Sequence, residues 1–417
     1  MNFGIPENPS CLFDSHMHLL PLNFVCFSAY LSFLDKHRAG ESLAALASPD
    51  YIFRDIIRNK RVITNILSVM ENTPLDILKL LEDDLKGEFE TDKSRPPVMD
   101  SRGLALGGKR FEMLVITPLV MDFELPEMLP EAYYSRQPAH SVEEQAHEVL
   151  EAIRQFRLDR PDSRMLVRPY MGINPKYWSG ERLDDMLRAC FSHWSPLGSE
   201  AVKTWNKLQK YRTLPGRPYN NAFGGIKMYP PLGYDPWPED SAERAKLEMF
   251  YGFCEKKGIP LITHCDDQGF RTIPLEESLV YTSPDRWEEV LKRYPNLYLD
   301  IAHFGRQYYR GVRLRSTGKW QRKIMELITE YPNVYTDMSF TGVENNAWET
   351  MVKTVRTLPE DKQEKLFSRI LFGTDWPLCL LKTESASAYW NGFRYAELPD
   401  WLKVKIAAEN PGRFHFR

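Results

Sequence analysis

Tyr294-Pro-Asn-Leu-Tyr-Leu-Asp300 is echoed further on by Tyr331-Pro-Asn-Val-Tyr-Thr-Asp337, and this weak repeat constrains the fold more tightly than any other feature of the chain. In each copy Pro cannot continue a helix and Asn tolerates the turn after it, while the alternating Leu/Tyr or Val/Tyr residues favour extended backbone. The repeating unit reads as helix, turn, buried strand. Apolar runs continue the register at 223–229, 259–265, 297–303, 334–340 and 370–375, about every 35 to 40 residues. Between them lie amphipathic segments with helix boundaries: 240–257 before Gly258, 284–294, and 319–331.

Upstream, 11–18, 113–121 and 165–173 supply three more strands, and Ser141 with Glu144 makes a capping box for a helix over 142–156. Eight strands alternating with helices imply a parallel sheet, either closed as a barrel or doubly wound. A GxGxxG turn after the first strand would favour the doubly wound form, and none is present.

The spacing is interrupted twice, at about 24–109 and 174–220. Both interruptions follow strands, and loops after strands lie on the catalytic face of a barrel, so both insertions are expected to overhang it. Residues 24–85 read as a helical cap and 92–109 as a polar, Gly-rich linker. At 417 residues the chain exceeds the roughly 250 of a bare barrel. A single domain over 1–417 with these insertions accounts for the excess.

Composition narrows the partners. The formal net charge is −3 and the basic residues are scattered, which excludes the electrostatic footprint of nucleic-acid or anionic-membrane binding. Six cysteines without a CxxC pair argue against a disulfide framework or a zinc ribbon. The start has no basic region followed by an apolar run, and no apolar stretch reaches about 18 residues, so a cytosolic enzyme with a small-molecule substrate is expected.

The chemistry begins with Asp14-Ser-His16-Met-His18 at the end of the first strand. Side chains alternate along a strand, so His16 and His18 face one way and Met17 the other. Two imidazoles so spaced can bind one metal ion, although an isolated His-x-His is as readily a pair of locally hydrogen-bonded histidines. Lys227, His264, His303 and Asp375 change that balance, because each ends a different strand and strand ends converge at a barrel mouth. The expected architecture is therefore an α/β fold, a (β/α)8 TIM barrel with helical insertions over its C-terminal face.

By parity Asp300 falls opposite His303 and reads as structural or supporting. Asp337 is placed to orient a metal-bound histidine or to make a plain strand-end hydrogen bond. Arg168, Tyr229, Tyr234 and Arg306 lie on or after strands and are candidates for binding an anionic or carbonyl-bearing substrate.

With these residues in place the chain resembles the amidohydrolase superfamily, and within it the amidohydrolase-2 group, which also contains nonoxidative decarboxylases. The resemblance spans all eight strands. It implies that His16 and His18 are first-strand metal ligands, His264 and His303 the fifth- and sixth-strand histidines, and Asp375 the eighth-strand aspartate. Asp375 would also serve as catalytic base and acid, and His303 would help to polarise the substrate. Donors of this kind suit Zn²⁺ best, with Mn²⁺ and Fe²⁺ as the alternatives, bound as one or two ions. Lys227 decides which: as a carbamate it bridges two metals, and as an ammonium it leaves a mononuclear site of His16, His18, His264 and Asp375, with His303 free for acid–base work.

Asn410-Pro-Gly-Arg-Phe414 resembles the returning tail of this family. The expected activity is metal-dependent hydrolysis of a C–N amide or an ester or lactone bond. The alternatives are a metal-dependent decarboxylase or hydratase of a small carboxylic acid, and a binding barrel with a vestigial metal site. A homodimer is implied by analogy alone.

Overall fold

Eight short parallel strands form a closed ring in this computed structural model, which describes residues 10–24, 60–89, 96–123, 141–192, 194, 222–267, 269–308 and 318–416. They are β1 (Cys11–Met17), β2 (Met113–Pro118), β3 (Met165–Val167, resuming at Met171–Gly172), β4 (Ile226–Met228), β5 (Leu261–Thr263), β6 (Leu299–Ile301), β7 (Val334–Asp337) and β8 (Ile370–Leu371). All eight expected strands are present.

Neighbours pair in parallel from β1 to β2 to β3 and from β3 through β8. Pro169 interrupts β3 because it has no N–H to donate. The strand nonetheless bonds on both sides: Tyr170 N donates to the Pro118 carbonyl at 2.8 Å and Met171 N to the Gly225 carbonyl at 3.0 Å. The ring closes between β8 and β1, where Ser15 N donates to Phe372 O at 2.9 Å and Asp375 N to His16 O at 2.7 Å.

Tyr170, Ile262, Tyr335 and Leu371 fill the interior together with Phe414 from the tail. Below them Phe13, Met113, Val115 and Leu166 pack with Phe416. The C-terminal helix Asn410–His415 is anchored by Asn410, whose amide donates to the carbonyls of Phe367 and Ile370 at 2.8 Å each. His415 is buried, with Nδ1 2.6 Å from the Tyr170 hydroxyl. The tail thus stoppers the end of the barrel away from the strand termini that carry the histidines.

The helices follow their capping signals. They are α1 (Lys60–Met70), α2 (Pro74–Leu85), α3 (Val142–Asp159), α4 (Gly180–Phe191), α5 (Ser241–Lys257), α6 (Pro284–Arg293), α7 (Lys319–Glu330) and α8 (Ala386–Arg394) among others. Ser141 and Glu144 form the expected reciprocal capping box on α3. Asp240 caps α5, which ends at Gly258 in the left-handed region. Among the described residues no helix is long and apolar enough to cross a membrane.

Two expectations about the insertions need correction. Residues 99–111 are not a linker but an antiparallel meander of Met99–Asp100, Gly103–Leu106 and Lys109–Phe111. Gly107 and Gly108 at φ 55° and 70° supply the tight turn that a Gly-rich segment also permits. Helix α2 does not overhang the mouth: it packs on α3 and α8, with Asp84 accepting from Ala386 N at 2.7 Å. Helix α1 does lie against the segment Leu378–Leu381 that follows β8. The rest of the expected cap, 25–59, and most of the second insertion, 195–221, lie outside the described residues.

Candidate metal centre

Six of the expected residues meet at the C-terminal ends of the strands. His16 belongs to β1 and His18 follows it, Lys227 is in β4, and His264, His303 and Asp375 lie in the turns after β5, β6 and β8. All six are buried. His303 and Asp375 adopt φ of 64° and 60°, a left-handed conformation that non-glycine residues rarely take and that clusters at functional sites.

One group consists of His16, His18 and Asp375. Asp375 Oδ1 stands 3.2 Å from His18 Nε2 and 3.7 Å from His16 Nε2. The other ring nitrogens face hydrogen-bond acceptors: His16 Nδ1 is 2.7 Å from Asp337 Oδ2, and His18 Nδ1 is 2.9 Å from the Leu119 carbonyl. An acceptor at Nδ1 requires a proton there, so Nε2 is the nitrogen each ring turns toward the carboxylate. Burial, and then the Lys227 charge, push His16 down to about 3, so it is neutral.

Asp375 is an anion. Burial works to raise its pKa, but the adjacent His18, His16 and His303 rings hold it below the usual carboxylate range. Nε2 of His16, Nε2 of His18 and an anionic oxygen thus converge beside the Lys227 amine, and a buried cluster of this kind requires a shared proton or a cation among its members. Ligand atoms around a tetrahedral zinc with bonds of about 2.0 Å lie about 3.3 Å apart, so this donor set fits such an ion.

His264, Asp266 and His303 form a second group. His264 Nδ1 and His303 Nε2 approach to 3.1 Å, and His264 Nε2 lies 3.2 Å from Asp266 Oδ1. His303 Nδ1 meets the Ser339 hydroxyl at 2.8 Å and the Ser339 carbonyl at 3.1 Å. The two groups adjoin, the His16 and His303 rings being 4.9 Å apart.

Lys227 lies at the junction, with Nζ 3.2 Å from His16 Nε2. Burial pushes its amine down to about 8, against the opposing pull of Asp375 and Asp337. Gly225 allows this strand to run so close to its neighbours: a Cβ there would stand 2.3 Å from the Tyr170 ring and 2.4 Å from the Pro260 carbonyl.

The expected substrate residues divide. Tyr229 reaches the site, its ring 4.6 Å from that of His264. Arg306 follows β6, but Glu344 engages it at 2.5 Å. Arg168 does not reach the mouth: it is buried against the Phe416 ring, 4.2 Å away, at the stoppered end, because it precedes Pro169 low on β3. Tyr234 is also removed from the site, buried behind β4 with its hydroxyl 2.5 Å from that of Tyr251 on α5.

Asp300 is buried beside Asp337 and Lys227. Burial, and then the Asp337 charge, raise its carboxyl well above the carboxylate range. Sequence reasoning did not find Asp266, Ser339 or the Leu119 carbonyl, each of which addresses a histidine. Only the acidic pair Asp266-Asp267 shortly after His264 carried any local signal.

Residues 217–417 match the amidohydrolase family model. No curated protein matches the chain in sequence. Among solved structures the chain is similar to an amidohydrolase II (12% identity, 97% of this chain and 100% of that one, TM-score 0.46). It is also similar to a probable 2-pyrone-4,6-dicarboxylic acid hydrolase of Acinetobacter baumannii with citric acid bound (12%, 73% and 83%, 0.39). A third similarity is to a dihydroorotase of Campylobacter jejuni (13%, 72% and 74%, 0.34).

Proposed function

We propose, from the match of residues 217–417 to the amidohydrolase family model, that this chain is a metal-dependent hydrolase of a C–N amide or an ester or lactone bond in a small molecule. The observation that carries this reading is the convergence of His16 Nε2, His18 Nε2 and Asp375 Oδ1, three buried donors at 3.2 and 3.7 Å across the carboxylate oxygen. Nitrogen and carboxylate donors so arranged suit Zn²⁺. A cation held there supplies a Lewis acid and lowers the pKa of water toward neutrality.

The chain's own residues do the rest. Asp375 Oδ1 accepts the proton of the attacking water, since an anionic carboxylate in a closed site is a competent base, and returns it to the leaving group. Asp337 holds His16 in one tautomer throughout. Tyr229, its ring tilted against that of His264, forms a wall against which the substrate lies. Lys227, brought by burial to about 8, is neutral in an appreciable fraction near pH 7. A neutral amine can add to carbon dioxide, forming a C–N bond and losing one proton to solvent, and the resulting carbamate would supply two oxygens to the histidine groups.

The test is metal content per chain after purification without chelator, for wild type, His16→Ala and Lys227→Ala, beside a screen of amide, ester and lactone hydrolysis. About two ions in wild type, falling in both variants together with hydrolysis, is the expected result. Absence of metal from every preparation would sink the reading.

A further inference from the structure

Ser339 has no place in the hydrolytic reading, yet it stands where the two ligand groups meet. It lies two residues beyond the end of β7, buried, and its hydroxyl donates to Asp337 Oδ1 at 2.5 Å. The Ser339 amide donates to that same oxygen at 2.9 Å. With its only proton committed to Asp337, the hydroxyl can only accept from His303 Nδ1, 2.8 Å away. The Ser339 carbonyl, 3.1 Å from Nδ1, is an acceptor too. Both contacts require the His303 proton on Nδ1, which leaves Nε2 bare and facing His264.

The backbone makes this support necessary. His303 sits at φ 64° and is followed by Phe304 at φ 49°, a strained turn that its own strand does not maintain. Its amide is held by Asp337 Oδ1 at 3.0 Å and its carbonyl by the Thr341 hydroxyl at 3.3 Å, both from the neighbouring segment. Asp337 meanwhile holds His16 through its other oxygen.

We infer that Ser339 is a positioning residue for His303, and that Asp337 and Ser339 divide the work: Asp337 orients histidines of both ligand groups, whereas Ser339 orients only that of the second. The inference rests on the metal-centre reading for its consequence in metal binding, but the His303 tautomer is a property of the metal-free chain.

The experiment uses the full-length protein with ¹⁵N-labelled histidine, first stripped of metal, comparing wild type, Ser339→Ala, Ser339→Thr and Asp337→Asn. His303 resonances are assigned by their loss in His303→Gln. Wild type should show His303 protonated at Nδ1, Ser339→Ala should shift toward a mixture of tautomers, and Ser339→Thr, which keeps the hydroxyl, should restore the wild-type pattern. Zinc titration then follows. Removing such an outer partner typically weakens metal affinity 10–100-fold. Ser339→Ala should show this loss chiefly for the ion of the second group, with a smaller effect passed to the first through Asp337, and Asp337→Asn should show it for both. Unchanged His303 resonances in Ser339→Ala, or a threonine variant no better than alanine, overturns the inference even if the protein binds zinc normally. Failure of wild type to bind zinc would defeat the hydrolytic reading while leaving the tautomer result to decide this one.

Discussion

The amide of Asp375 donates to the carbonyl of His16 at 2.7 Å, and the carboxylate of the same residue points at the His16 and His18 rings. Closure of the barrel and assembly of the first ligand group are therefore one event. Residues near the two ends of the chain meet only when the eighth strand docks beside the first.

Removal of metal should loosen the fold as well as stop turnover. A ligand bound only by the folded chain stabilises it by about 2.7 kcal/mol at a hundredfold excess over its dissociation constant. Chelation should accordingly lower the thermal midpoint of wild type by several degrees, and re-addition of zinc should restore it. In Asp375→Asn the midpoint should hardly respond to either treatment. A chelator response of equal size in the variant would place the ion elsewhere.

Lys227 should make the stability of the metal-free protein depend on alkaline pH. Its amine titrates at about 8 in the folded chain, against an ordinary lysine value of 10.5. Between those values the unfolded chain binds more protons, so stability rises with pH across that window and the burial penalty is fully present below it. Lys227→Met should be the more stable protein at pH 7, by up to about 3 kcal/mol, and the difference should shrink as the pH approaches the ordinary lysine value. Urea titrations of both chelated proteins at several pH values measure it, and a pH-independent difference would contradict the burial argument.

Two glycines should respond oppositely to alanine. A Cβ at Gly225 meets the Pro260 carbonyl and the Tyr170 ring, neither of which can give way cheaply. Gly225→Ala should cost about 1–3 kcal/mol. Gly392, within α8, has nothing within 4 Å of its would-be Cβ. Gly392→Ala should gain up to about 1 kcal/mol through helix propensity. Chemical denaturation compares them, and equal effects would refute the close-approach explanation.

The described thiols should be silent in the native protein. Burial pushes Cys254, Cys265 and Cys379 well above the ordinary thiol range, and Cys11 up to about 12. A raised pKa means less thiolate at any given pH, and thiolate is the reactive form. In mildly alkaline buffer maleimide should label these positions only after unfolding, as read by peptide mass spectrometry. Rapid native labelling of Cys265 would be inconsistent with its burial beside His264.

What the sequence determined by itself was periodic and local. The recurrence of Tyr-Pro-Asn turns and apolar runs marked eight strands because each strand's burial is written in its own residues, and Ser141 with Glu144 marked a helix start because a cap acts within one turn. His16, His18, Lys227, His264, His303 and Asp375 were legible because each ends such a run. Parity failed beyond the strand ends: β6 stops at Ile301 and the chain turns left-handed at His303, so alternation no longer says where a side chain points. Arg168 and Tyr234 were misplaced for a related reason, since position along a strand does not reveal which end of the barrel or which side of its wall a long side chain will occupy. Only the tertiary structure decided which acceptor meets each histidine, because Asp337, Ser339 and the Leu119 carbonyl come from neighbouring strands and distant sequence. Those contacts choose the tautomers, and the tautomers decide which nitrogens remain bare for a metal.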